Sequence, residues 1–151
     1  MSIKDRLKEA MITSMKAKEA EKLGAIRFIQ AAIKKIEVDT RKEMDDAAVI
    51  PILMNLAKQR RDSIEQFRKG GREDLAVKEE SELKLIQSFL PEQMGADELA
   101  LLVDAAIAET GAKSMRDMGA VMKAVGAKVA GRAEGSVISE TVKKKLALLQ
   151  P

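Results

Sequence analysis

Leu23, Ile26, Ile29, Ile33 and Ile36 follow one another at steps of three and four residues. Such steps keep every side chain on one side of an α-helix, whereas a strand would scatter them over both faces. The same period returns in Ile3, Leu7, Met11 and Met15, then in Leu53, Leu56, Ile64 and Phe67, and again in Leu75, Leu83, Ile86 and Phe89. The alphabet agrees with the period. Ala, Lys, Glu, Leu, Met and Ile dominate, all helix-compatible, while Trp and Tyr are absent and Phe occurs only at 28, 67 and 89. The chain is expected to be all-α.

Local signals divide that pattern into helices. Ser2 with Asp5 predicts a capping box for the first helix. The charged run Lys16–Lys22 and Gly24 predict a break before the second, which should end near Asp39–Glu43. Asp45 or Asp46 is placed to cap a third helix. Pro51 lies about one turn into it, so this helix should start late or be kinked there. Gly70-Gly71 should close it. A fourth helix is expected from about Arg72 to Phe89.

Leu90-Pro91-Glu92-Gln93-Met94-Gly95 interrupts the pattern, because proline disfavours helix in the residue before it and glycine permits a turn. It predicts a four-helix N-terminal domain over 1–90, a linker at 91–95 and a small three-helix domain over 96–151. Helix five is expected over Ala96–Glu109, with Gly111 as its stop. Ser114 with Asp117 should box-cap helix six, which would bury Met118, Val121, Met122, Val125 and Val129. Gly131–Gly135 is expected to turn, and helix seven should start near Ser136, with Val142 and Leu146 inward.

Missing residue types exclude whole classes of chemistry. The chain has no Cys and no His, which removes thiol nucleophiles, imidazole bases and the zinc sites those ligands build. No phosphate-cradling glycine loop is present either. No catalytic residue, metal ligand or cofactor site is assigned. Nothing resembles a secretory signal or reaches the apolar length of a membrane span, so a cytoplasmic protein with no membrane partner is expected.

The acidic groups Glu37, Asp39 and Glu43, and Glu79, Glu80 and Glu82, are interleaved with basic residues and read as solvated, paired helix faces. The basic cluster Gln59-Arg60-Arg61 with Arg68 and Arg72 is offset by Asp62, Glu65, Glu73 and Asp74, and intramolecular pairing is expected there too.

Charge is uneven. Residues 1–94 hold 19 basic and 17 acidic side chains, 95–110 hold four acids and no base, and 111–151 hold 8 basic and 3 acidic. That last segment also carries five of the nine glycines. Gly119 and Gly126 lie seven apart on one face of helix six, each costing about 1 kcal/mol relative to alanine inside a helix. Close approach of something is implied: a neighbouring helix, or a ligand backbone. Alternatively, Gly126 ends the helix. Lys113, Arg116, Lys123, Lys128, Arg132, Lys143, Lys144 and Lys145 surround these glycines and suit a polyanion. No aromatic residue lies within 95–151, so base stacking is excluded and recognition would rest on phosphate and shape.

The segments IRFIQAAIKKIEVDTRKE (Ile26–Glu43), QRRDSIEQFRKGGREDLA (Gln59–Ala76), FLPEQM (Phe89–Met94), ETGAKSMRDMGAVMKAV (Glu109–Val125) and GRAEG (Gly131–Gly135) together resemble the GatB/YqeY family. The resemblance runs through nearly the whole chain. It implies a larger helical domain followed by a smaller one similar to the tail of the B subunit of the tRNA-dependent amidotransferase. In that enzyme the tail contacts the body of the tRNA, and the chemistry occurs in a separate domain. The resemblance marks Leu90, Pro91, Gln93, Gly111, Ser114, Met118, Gly119, Met122, Gly131, Arg132 and Gly135. Two positions depart from the common pattern, Gly126-Ala127-Lys128 and Ala130, and both make the turn less basic and less rigid.

The expected function is therefore a non-catalytic, tRNA-associated accessory role. The expected RNA-binding set is Lys113, Arg116, Gly119, Lys123, Gly126, Lys128, Gly131, Arg132, Gly135, Lys143 and Lys144. The partners implied are tRNA or another structured RNA, with amidotransferase or aminoacyl-tRNA synthetase components beside it. The alternatives are a carbon–nitrogen ligase with glutamine as amide donor, an activity implied only by the family resemblance, and a helical protein-interaction scaffold.

Overall fold

A computed structural model describes residues 1–149, and these are all helix, turn and loop with no strand among them. The helices are α1 (Ile3–Lys16), α2 (Ala20–Thr40), α3 (Asp46–Lys69), α4 (Glu73–Phe89), α5 (Ala96–Thr110), α6 (Met118–Val129) and α7 (Gly135–Ala147), with a 3₁₀ turn at Met115–Asp117 before α6. The all-α expectation holds. The chain separates into two compact units, Met1–Leu90 and Pro91–Pro151.

In the first unit, α1 to α4 pack on one another around Leu7, Ile26, Ile29, Ile33, Val49, Leu53, Ile86 and Phe89. The α1 stripe is not the one expected. Ile3 and Leu7 are buried, but Met15 is 48% exposed and Ser14 takes the inward position at 1%. Each four-residue step overshoots a helical turn by about 40°, so Met15 has drifted about 120° from Ile3 while Ser14 returns to within about 20° of it. The Ser14 hydroxyl has no hydrogen-bond partner among the described residues.

The caps fall where side-chain chemistry predicts. Ser2 Oγ accepts from the Asp5 N–H at 3.1 Å, which is one half of a capping box. Both adjacent aspartates are used, for different helices. Asp45 caps α3 by accepting from the Ala48 N–H at 3.0 Å, and Asp46 accepts the free N–H of Ile3 at the start of α1 at 2.8 Å. The break before α2 comes at Ala17–Glu19, with Lys18 in the left-handed region at φ 57°, and Gly24 lies inside α2. Pro51 also lies inside its helix, and α3 begins five residues ahead of it at Asp46 rather than late. Pro51 and Ala47, whose carbonyl loses a donor, are both exposed, so water can satisfy that carbonyl. Gly71, at φ 72°, closes α3, and the Arg72 N–H returns to the Phe67 carbonyl at 2.8 Å.

The charged clusters of this unit are mostly paired across helices rather than along one. Lys4 of α1 reaches Glu37 of α2 at 2.8 Å and Glu43 at 3.6 Å. Arg60 of α3 bridges Glu79 and Glu82 of α4 at 3.0 and 3.1 Å, and its guanidinium lies 4.8 Å from the Phe28 ring centroid. Arg68 pairs with Glu73 and Glu80, and Arg72 with Asp74. Among the described residues no group of three acidic side chains could hold a metal ion. No helix among them is long and apolar enough to cross a membrane.

In the second unit, α5, α6 and α7 each pack on the other two. Leu99, Val103, Val121, Val125, Ile138, Val142 and Leu146 form its core. Met118 and Met122 pack at its edge and are only partly buried, while Val129 is buried as expected. Gly111, at φ 68°, ends α5, and α7 begins at Gly135, one residue before Ser136.

Candidate nucleic-acid interface

The approach to α6 is set by the Ser114–Asp117 box, which is present as expected. Asp117 Oδ2 accepts from the N–H groups of Lys113 and Ser114 at 2.9 and 3.4 Å, and Ser114 Oγ accepts from Arg116 N–H at 3.3 Å. The box fixes the backbone and leaves the side chains of Lys113 and Arg116 exposed, with no ion pair among the described residues.

α6 then turns Val121, Val125 and Val129 into the core. Its opposite side carries Gly119, Ala120, Lys123, Gly126 and Ala127, all exposed. Gly126 is inside the helix and does not end it. A Cβ built on Gly119 or Gly126 would meet nothing within 4 Å. Tight packing of a neighbouring helix against these glycines is therefore not what they provide. The face is flat and open, and Lys123 stands at its middle without an ion pair among the described residues.

The remaining cations divide sharply. Lys128 points back to α5 and donates to Glu109 at 2.9 Å, and this hydrogen bond, with the attraction that accompanies it, holds the Glu109 carboxyl below its ordinary range. Lys144 pairs with Glu140 at 3.3 Å within α7, and Lys145 with Asp104 of α5 at 3.1 Å. Lys143 is exposed and forms no ion pair among the described residues.

Arg132 is the most heavily engaged. Its guanidinium grips Glu98 through two hydrogen bonds of 3.0 and 3.2 Å, and its Nε donates to the Glu92 carbonyl at 2.9 Å. Its own carbonyl accepts from the Met94 N–H at 2.7 Å, while Gln93 Nε2 donates to the Gly131 carbonyl at 3.1 Å. The segment expected as a linker is thus tied to the turn after α6. Sequence reasoning missed this junction, although it singled out both motifs separately. Ala130 and Gly131 make that turn in the left-handed region, at φ 49° and 80°. For Ala130 that conformation costs about 1 kcal/mol.

Of the eleven expected RNA-binding positions, Gly119, Lys123 and Gly126 share one open helical face. Lys113, Arg116 and Lys143, on other elements of the unit, form no ion pair among the described residues. Lys128, Arg132 and Lys144 already hold carboxylates. Gly131 serves the turn, and Gly135 is the first residue of α7.

Comparison with known proteins places this arrangement in a family. The family model described as Yqey-like protein matches residues 4–146. A protein of Eremothecium gossypii named altered inheritance of mitochondria protein 41, mitochondrial, is 41% identical over 110 residues, covering 71% of this chain and 58% of its own length. Its namesake in Pyrenophora tritici-repentis is 34% identical over 143 residues, covering 93% of this chain and 77% of that protein. The Vanderwaltozyma polyspora protein of the same name is 42% identical over 91 residues, 60% of this chain and 47% of its own. The chain thus spans about half the length of several curated relatives it matches. The expected cytoplasmic location is corrected by these names, which are those of mitochondrial proteins. The cytoplasmic reading rested on the signature of secretory signals, which are apolar, whereas organelle-targeting segments are amphipathic and basic. With nearly its whole length matched, this chain belongs to the Yqey-like protein family.

Proposed function

We propose that the C-terminal unit is a docking surface for structured RNA, tRNA in the first instance, and that the protein acts as a non-catalytic accessory to it. The observation that carries this reading is the outer face of α6. Two helical glycines there cost about 1 kcal/mol each, yet they gain no packing from the described residues. Their use is to let an external backbone come close to the helix, with Lys123 placed to meet a phosphate. Lys113, Arg116 and Lys143 add unpaired positive charge. Lys128, Arg132 and Lys144 are not counted in the docking set, because their charges are held by Glu109, Glu98 and Glu140. The protein partner this reading implies is a component of the machinery that charges tRNA or amidates the charged product.

The test is tRNA binding across a salt series. The wild-type chain should lose affinity steeply with salt, and each lysine or arginine reversed should lower the log–log slope by about one. Replacing Lys113, Arg116 and Lys123 together by glutamate should abolish binding. Lys128→Glu should weaken it far less. Wild-type affinity in the triple variant, with its helical content intact, would sink the proposal.

A further inference from the structure

A second surface lies in the N-terminal unit and is independent of the RNA reading. Between α1 and α2 runs an open groove of about 630 Å³. One wall is Lys4, Leu7, Lys8 and Met11, and the other is Arg27, Gln30, Ala31 and Lys34. Each wall is an i, i+3, i+4, i+7 stripe, two turns long. The two helices run antiparallel, as the Lys4–Glu37 pair at one end requires. Leu7 and Ile33 form the base of the groove and are 1% and 3% exposed, while Met11 is only half-buried above them. Methionine in such a place adapts to whatever packs on it.

The rim is cationic. Lys8, Arg27 and Lys34 form no ion pair among the described residues. Of the two carboxylates lining the groove, Glu37 is taken up by Lys4, and Asp5 sits in the first turn of α1, where it complements the helix dipole. Arg27 and Lys34 are seven residues apart and stand on one side of α2, roughly 10 Å from each other along its axis.

The geometry points to an amphipathic helix of a partner protein as the occupant, with an apolar stripe on Met11, Ala31 and the aliphatic stems of Lys8 and Lys34, and acidic residues seven apart facing Arg27 and Lys34. Two antiparallel helices with Met11 and Ala31 between their cationic rims accept a third helix by the same ridge-and-groove packing that builds the unit itself. A small anion would leave Met11 and Ala31 uncovered. A nucleic-acid strand would gain nothing from them.

The inference is tested with the full chain and a synthetic helical peptide of about 14 residues, long enough to hold some helix alone. Leucines occupy its i, i+4, i+7 and i+11 positions, and glutamates flank them. Fluorescence anisotropy should detect binding, and the double variant R27E/K34E should weaken it at least ten-fold. A lysine-flanked version of the peptide should show the opposite preference, binding the double variant better than the wild type. Equal binding of both peptides to the wild-type chain overturns the inference, as does an unchanged affinity in the double variant. An RNA hairpin that shifts the backbone amide resonances of Lys8, Arg27 and Lys34 while the glutamate peptide does not would assign the groove to nucleic acid and also overturn it. Far-UV circular dichroism of R27E/K34E, whose substituted side chains are exposed, reports that the fold is kept. Met11→Glu, which places a charge like the peptide's inside the groove, supplies a second variant expected to lose the peptide.

Discussion

Arg132 and Glu98 form a two-pronged ion pair, with both terminal nitrogens of the guanidinium on the two carboxylate oxygens at 3.0 and 3.2 Å. Glu98 sits in the first turn of α5, and Arg132 in the turn leaving α6. The pair therefore staples the start of the C-terminal unit to its middle, and the additional bond to the Glu92 carbonyl draws in the segment before α5. Arg132 was expected to meet RNA. In this position it clamps the C-terminal unit together.

Removing the clamp should loosen the unit. Arg132→Ala is expected to lower its stability by about 1 kcal/mol, since the pair is partly exposed and screened, although three hydrogen bonds are lost. Arg132→Lys should recover little of this, because an ammonium cannot reproduce the planar fork. Urea unfolding followed by circular dichroism measures both. Equal stability of Arg132→Lys and wild type would contradict the clamp.

Gly119→Ala and Gly126→Ala separate stability from function. Neither glycine has a positive φ, and neither faces a neighbour within 4 Å. Each substitution should therefore stabilise the chain by about 0.5–1 kcal/mol. Glycine to leucine at the same positions should keep the fold but block close approach, lowering tRNA affinity with no loss of melting temperature. A fall in melting temperature for the alanine variants would mean that the face is already covered.

Ser14 offers the opposite case, a buried residue whose replacement should help. Its hydroxyl is 1% exposed and has no partner among the described residues. Ser14→Ala removes an unsatisfied group and improves helix propensity, for a gain of about 1 kcal/mol. Thermal melting would show it directly, and destabilisation would reveal that the hydroxyl is satisfied.

The Lys4–Glu37 contact makes the N-terminal unit sensitive to pH at both extremes. The hydrogen bond from Lys4, followed by that from the Met44 N–H, holds the Glu37 carboxyl below its ordinary range, and the hydrogen bond to Glu37 raises Lys4 above its own. A carboxylate lowered on folding contributes stability above its unfolded value and loses it as pH falls through the folded one. An ammonium raised on folding contributes below its unfolded value and loses it as pH rises through the folded one. The contact should therefore hold across neutral pH and fail first in acid. Glu37→Gln should flatten the acid limb of a stability–pH curve, and an unchanged limb would show that other carboxylates dominate it.

The particular residues show where sequence was enough. Ile26, Ile29 and Ile33 face the core as their spacing demanded, and Asp45, Gly71, Gly111 and the Ser114–Asp117 box mark helix ends by chemistry that acts over a few residues. The α1 stripe failed at Met15 because a step of four is not a full turn, an error that grows with each repeat. The open face of α6 was half legible. The seven-residue glycine spacing pointed to it, but whether a helix already covered it was a question about the rest of the fold.

Helix number, most helix ends, the inward stripe of α2 and the excess positive charge near the C-terminus were determined by the sequence alone, since each depends on neighbours within a turn or two. Which cations remain free was decided only by tertiary structure. Arg132 meets a carboxylate 34 residues away, Lys145 one 41 residues away and Lys128 one 19 residues away, while Lys123 meets none among the described residues. No local rule encodes those distances. An ion pair forms where folding brings two side chains within a few ångströms, so the charge available to the proposed partner is what remains after the protein's own packing has claimed the rest.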